Sequence, residues 1–329
     1  MLFAPMSAAA LPPPISWHQI GAIRIDYASV LVVIAAFLYG LGVWRLNKLE
    51  PARRWSRRRT FAFFLGLVVT FVAVDSIIGI YDGVLFYDHM IQHLLLVMVA
   101  APLFAMGAPL ELLERSTTGR SHRIVESVLH SAPVELLLHP LTGFGLYAVT
   151  IPLTHLTSLY NLTLTNEPVH DLEHLLFLVV GYLFWRHPVG IEASRHPLHP
   201  GLRLLFLIGA VPIDTFTGVA LTTTTHELFP AYLALHRTWG PSLLTDLHAG
   251  GAIMWVGGDS LMGIGMAPVA IQWVRHEELR TYQIDQELDR EKMGSAAPTG
   301  NGSGPIGDGT RGPGRVSMHE EPSEEGGPA

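Results

Sequence analysis

The stretch DHMIQHLLLVMVAAPLFAMGAP (88–109) decides how this chain folds. Acidic, amide and imidazole groups crowd its first six residues, and an apolar run broken only by prolines and a glycine follows. Roughly 20 such residues, rising about 1.5 Å each in a helix, match the hydrocarbon thickness of a bilayer. His89 and His93 stand four apart, so they share one helix face. The stretch reads as a membrane-crossing helix with coordinating chemistry at its mouth. A second stretch repeats the plan: VHDLEH (169–174) runs directly into LLFLVVGYLF (175–184), with His170 and His174 again four apart.

The composition agrees. Of 329 residues, 49% are hydrophobic and only 15% charged, with a mean hydropathy of +0.33, too apolar for an ordinary soluble domain of this length. The expected fold class is all-α, a polytopic membrane bundle, because lipid offers backbone groups no partner outside the helix itself. Cysteine is absent while there are 17 histidines, which excludes disulfides, thiolate zinc sites and iron–sulfur clusters. Any metal must be held by imidazole, carboxylate or thioether. The net charge of -7 says little about partners, because eleven acids against six bases lie from Val274 onward. The lipid bilayer is the expected surrounding, and no nucleic-acid partner is expected.

Seven transmembrane helices are expected, at about 26–46, 61–81, 88–108, 136–156, 168–187, 202–222 and 247–273. Pro102, Pro140, Pro152, Pro212 and Pro268 fall in or near them, where kinks are expected. Basic residues gather in alternate loops: Arg45 to Arg59 after the first span, Arg115 to Arg123 after the third, Arg186 to Arg203 after the fifth, and most of the rest in the tail. The positive-inside rule then places the N-terminus outside and the C-terminus in the cytoplasm. Residues 1–25 are an extracytoplasmic segment; 1–23 lacks a basic start and holds three consecutive prolines, so the first span is expected to serve as the insertion signal. The transmembrane domain covers 26–273, a polar helical extension 274–293, and a Gly-, Pro- and Ser-rich disordered cytoplasmic tail 294–329.

With that topology, span three opens outside at 88–93, span five at 170–174 and span seven at Asp246-Leu247-His248, while spans four and six end outside at His155 and near His226. Five helices thus bring histidine to one rim, where exposed imidazoles could exchange an ion. A single interfacial histidine is ordinarily a hydrogen-bonded structural residue. Two four-residue pairs converging on one side argue instead for a metal or cofactor, with His89, His93, His170 and His174 as candidate ligands. Asp75, Asp214 and Asp259 lie at membrane depth, while the only lysines or arginines in the spans, Arg45, Arg186 and Arg203, stand at span ends, so each acid is expected to be protonated, bonded to histidine or facing a cation. Together with Glu173, Asp246 and His248 they are candidates for added ligands or for the groups that orient the imidazoles. His248 and Asp259, eleven residues apart, fall on one helical stripe. Met90, Met98, Met106, Met262 and Met266 could add thioethers for Cu(I), although methionine in a membrane bundle usually serves packing. The small residues Gly250-Gly251-Ala252 and Gly257-Gly258 permit close helix approach, within the bundle or between protomers.

Imidazole with thioether or carboxylate suits copper or zinc. Haem is the other candidate, with one axial histidine from each of two helices, although the four-residue pairing favours a small ion. HDLEH (170–174) also fits H-x-x-E-H, in which two histidines bind zinc and the glutamate activates water, the basis for a membrane metallohydrolase.

DHMIQHLLLVMVAAPLFAMGAP (88–109), HDLEHLLFLVVGYLFWRHPVG (170–190), RLLFLIGAVPIDTFTGVAL (203–221) and DLHAGGAIMWVGGD (246–259) resemble the caa3-type cytochrome c oxidase assembly factor family, the multi-spanning CtaG type. The resemblance runs from about span two through span seven, and the pattern H-M-x-x-H followed by H-x-x-E-H is its most specific part. It implies a seven-helix, multi-pass protein of a bacterial plasma membrane, not itself an enzyme, needed to mature a haem-copper oxidase whose subunits are its partners. The family's last span usually opens with Asp-Gln, where this chain has Asp246-Leu247-His248. Joined to the histidine pattern, the resemblance leads to the expectation of Cu(I) bound at His89, His93, His170 and His174 and delivered to the oxidase, with zinc or haem as the alternatives.

Overall fold

A computed structural model describes residues 11–19, 21–25 and 27–295, and the tail expected from 294 onward lies outside it beyond Ser295. Among the described residues there are helices and no strand. The principal helices are α1 (Tyr27–Leu49), α2 (Arg57–Asp75), α3 (Phe86–Leu94, a π-helical turn Leu95–Ala100, then Ala101–Gly107), α4 (Pro140–His155), α5 (Glu167–Val189), α6 (Pro200–Thr223) and α7 (Leu243–Ala252, a π-helical turn Ile253–Gly257, then Gly258–Ser295). By internal contacts the chain divides into one unit ending at Glu278 and a second beginning at Leu279. In the second, residues 279–292 are helical and exposed throughout.

Among the described residues, five helices are long and apolar enough to cross a membrane: Ala28–Leu49, Arg57–Tyr81, Phe86–Ser116, Pro200–Thr223 and Leu243–Lys292. The spans expected at 136–156 and 168–187 do not meet that measure. α4 has only 16 residues, because Pro140 occupies its first turn and the His139 side chain caps it by accepting from Leu141 N. α5 has 23 residues but opens on Glu167, Asp171 and Glu173 and carries Arg186 near its end. The span expected at 61–81 is interrupted: α2 stops at Asp75, and Ser76 caps a new turn, Ile77–Tyr81, through its hydroxyl. α1 leaves Val30, Leu31, Val33, Ile34 and Phe37 exposed, a surface suited to lipid and costly in water.

Helices that cannot gain from expelling water associate through close packing, and here glycines mark the crossings. A Cβ on Gly143 of α4 would come within 2.5 Å of the Leu183 carbonyl of α5, and one on Gly181 of α5 within 2.8 Å of Ala101 of α3. Gly218 of α6 and Gly251 of α7 face each other's backbone carbonyls at 2.8 and 2.9 Å from the equivalent positions. Gly250 meets the Phe86 ring of α3 in the same way. The small-residue run of α7 is therefore used inside the bundle, and the Gly143 and Gly181 crossings hold α4, α5 and α3 together toward the ends opposite His155, His170 and His89.

A buried histidine and carboxylate cluster

Asp246 sets the start of α3. Its carboxylate accepts from Phe86 N at 3.2 Å and Tyr87 N at 3.0 Å, and Arg237 donates to it at 3.1 Å with both side chains buried. A carboxylate at a helix start also suits the positive end of the helix dipole. Asn166 starts α5 by accepting from Val169 N, with Pro168 in the first turn. That register turns His170, Glu173 and His174 inward and leaves Leu172 and Leu175 outside. α4 delivers His155 at its last residue.

These side chains meet in the interior rather than at an open rim. His89 and His155 are fully enclosed, and His93, His170, Glu173 and His174 are all buried. The expectation of exposed imidazoles is corrected: two connecting segments, Leu159–Thr165 and Pro230–Ala234, lay an aromatic cap over the cluster. Tyr160 stands 5.0 Å from the His89 ring, the Tyr160 and Tyr232 hydroxyls are 2.9 Å apart, and Phe86 stacks on Phe229. Asn161 fixes one segment to the other by accepting from Ala231 N at 2.8 Å. Burial pushes both phenols well above the usual tyrosine range, so they remain donors.

Glu173 lies between the two histidines of α3, with Oε2 3.6 Å from His89 Nε2 and 3.8 Å from His93 Nε2. His89, His170 and Glu173 each offer an atom within 4.8 Å of the others, and so do Asp82, His170 and His174. His170 belongs to both groups, and its Nε2 is 3.8 Å from Asp82 Oδ2. Both ring nitrogens of His89, Nε2 of His93 and of His170, and both oxygens of Glu173 are buried with no hydrogen bond of good geometry; Thr163 approaches Glu173 and the Asp82 backbone approaches His89 only loosely. Buried polar atoms are ordinarily paired, and leaving them unpaired costs about 1–3 kcal/mol each.

The surrounding hydrogen bonds assign the tautomers of two neutral rings. His155 Nδ1 lies 2.8 Å from the Ile151 carbonyl, which can only accept, so His155 Nε2 carries a lone pair. His93 Nδ1, 3.2 Å away, donates to it, and the free Nε2 of His93 is left as a lone pair directed at Glu173. Gln92 acts likewise: its amide nitrogen donates to Ala73 O at 3.1 Å and Asp82 Oδ2 at 2.8 Å, so its oxygen accepts from His174 Nε2 at 2.9 Å. His174 then presents Nδ1 as a lone pair. Such outer bonds are the usual means of orienting a ligating imidazole.

The other candidates from the sequence lie apart from this centre. Asp75 is held by Ser29 at 2.6 Å, Asp214 by Tyr147 at 2.6 Å and Asp259 by Thr215 at 2.9 Å. His248 bonds the Thr224 carbonyl at 2.8 Å. His248 and Asp259 both address α6, on either side of the π-helical turn that separates them. Asp82, Gln92 and His155 were the unforeseen members. His155 was visible as a rim histidine without a partner in its own helix; Asp82 and Gln92 gave no signal by spacing.

Adjoining His93 and His155 is a cavity of about 20 Å³, lined also by Met90, Met98, Met254 and Asp214. That is room for one water or one small ion.

A family model described as cytochrome c oxidase caa3 assembly factor matches residues 37–276. Uncharacterized proteins of Mycobacterium leprae, Mycobacterium bovis and Mycobacterium tuberculosis are each 26% identical, over 78–79% of this chain and 40–41% of their own. The chain thus spans about two fifths of the length of the curated relatives it matches. No solved structure matches.

Proposed function

The chain belongs to the cytochrome c oxidase caa3 assembly factor family, and on that basis we propose that it binds copper as Cu(I) at the buried cluster and delivers it to a haem-copper oxidase subunit during assembly. The observation that carries the reading is the set of unpaired lone pairs converging from His89, His93, His170 and Glu173. A cation held by His89, His170 and Glu173 would satisfy most of them, with His93 3.8 Å from Glu173 and with Asp82 and His174 forming a second group around His170. The donor set also suits zinc; copper is preferred because a haem-copper oxidase requires it. All seven helices cross the bacterial plasma membrane in this reading, α4 and α5 as inner members, with the N-terminus and the cluster on the extracytoplasmic side. The basic residues between α1 and α2 and near the starts of α2 and α6 support that orientation. Copper for the oxidase would then enter from the side on which the cluster lies.

The hydrolase that H-x-x-E-H suggests finds less support. Glu173 sits among the ligand atoms, and the adjoining cavity of about 20 Å³ admits a water but no peptide or ester. A non-enzymatic role fits that enclosure. The test is Cu(I) and Zn(II) content of the full-length chain purified in detergent, beside Glu173→Gln and a His89→Ala, His93→Ala double variant, with oxidase maturation scored in cells that depend on each. The expected result is the loss of one copper per chain in the double variant, and weaker copper binding in Glu173→Gln together with reduced maturation. Metal content unchanged in Glu173→Gln while function disappears would replace delivery with metal-dependent hydrolysis.

A further inference from the structure

The two π-helical turns of the bundle, Leu95–Ala100 in α3 and Ile253–Gly257 in α7, each carry a methionine on the wall of one cavity, Met98 and Met254. Met90 lines it as well, and all three side chains are buried. A π-helical turn is a departure from regular hydrogen bonding that is found frequently at functional sites. Two of them meeting at one void, each bringing a methionine to its wall, sets this void apart, since protein interiors leave few such spaces. His93 and His155 form the wall shared with the histidine cluster, and Asp214, held by Tyr147, is the one carboxylate on the lining. Thioethers select Cu(I), which tolerates two or three ligands and needs no water of its own, and a nearby carboxylate would balance the added charge.

We propose that this cavity is a second Cu(I) site, ligated by the thioethers of Met90, Met98 and Met254 and separated from the cluster by the His93–His155 pair. It takes the identity of the ion from the copper reading above but stands on different residues. The two sites differ in kind: imidazole and carboxylate on one side of His93, sulfur on the other. An ion passing between them would stay Cu(I) throughout and require no oxidant or reductant.

The experiment loads the full-length chain in detergent with Cu(I) under anaerobic reductant, counts copper by elemental analysis and reads ligand type by copper-edge X-ray absorption. Two coppers per chain with sulfur scattering are expected. Met98→Leu with Met254→Leu, a volume-conserving change, should reduce this to one copper and remove the sulfur signal, while Met106→Leu, 41% exposed and off the cavity, leaves both. Met90→Leu alone should lower the sulfur amplitude, which keeps the proposal testable if the double variant fails to fold. Copper bound with nitrogen and oxygen ligands only, or sulfur scattering indifferent to these changes, overturns the second site and leaves the cluster standing. Sulfur-bound copper that persists in His89→Ala, His170→Ala, with oxidase maturation intact, supports the second site and removes the cluster from delivery. No copper in any sample overturns both.

Discussion

His93 and His174 owe their chemistry to residues that would not ligate anything. His93 Nδ1 donates to His155 and His174 Nε2 donates to Gln92, so each ring keeps its other nitrogen as a lone pair, that of His93 3.8 Å from Glu173. Replacing either partner by leucine should lower Cu(I) affinity by roughly 10–100-fold without removing a ligand. Competition with a chromophoric chelator measures it, and equal affinity in His155→Leu and the parent would show that the tautomer is fixed in some other way. The four-residue pairs were legible because α-helical spacing places i and i+4 side by side whatever the fold. Gln92 was not, because its role depends on Ala73 and Asp82, which only the folded chain brings within 3.1 and 2.8 Å of its amide. Asp246 was legible only as a candidate at the outer start of span seven, yet its carboxylate is spent on the first turn of α3 and on Arg237.

Helices α3 and α7 would be regular if hydropathy alone shaped them, and their π-helical turns lie in sequences, LLVMVA and IMWVG, that carry no mark of irregularity. The extra residue in each turn rotates everything after it, yet His248 and Asp259, on either side of the turn in α7, both bond to α6. The glycine crossings were easier to foresee, since small residues permit close approach, but only the folded bundle assigns Gly251 to α6 and Gly250 to Phe86. Gly218→Ala would place a methyl 2.8 Å from the Gly251 carbonyl and should cost about 1–3 kcal/mol, read as a lower unfolding midpoint in detergent. A midpoint equal to the parent would mean that α6 and α7 are free to move apart. Length misled the reading of α4, because Pro140 fixes a later start than the apolar run 136–156 suggests.

The whole chain contains no cysteine, so any introduced one reports alone. In the proposed orientation Thr157→Cys, at the cluster end of α4, should react with a membrane-impermeant maleimide in intact cells, and Ser194→Cys, beyond the other end of α5, should react only after the cells are opened. The reverse pattern would turn the cluster to the cytoplasm and remove it from the side where copper is needed. The helical, membrane-sized architecture was readable from composition, while the enclosure of the centre was not, since Tyr160 and Tyr232 sit in short connections whose sequence suggests only loops. That enclosure would trap a bound metal kinetically. If release waits for Leu159–Thr165 and Pro230–Ala234 to swing apart, the rate at which a chelator strips copper will saturate, becoming independent of chelator concentration, and the plateau will be the opening rate itself. Tyr160→Ala with Tyr232→Ala should raise that plateau and restore dependence on chelator. The protein would then behave as a vessel that empties on its own clock or when an oxidase subunit, by engaging the cap, changes the clock.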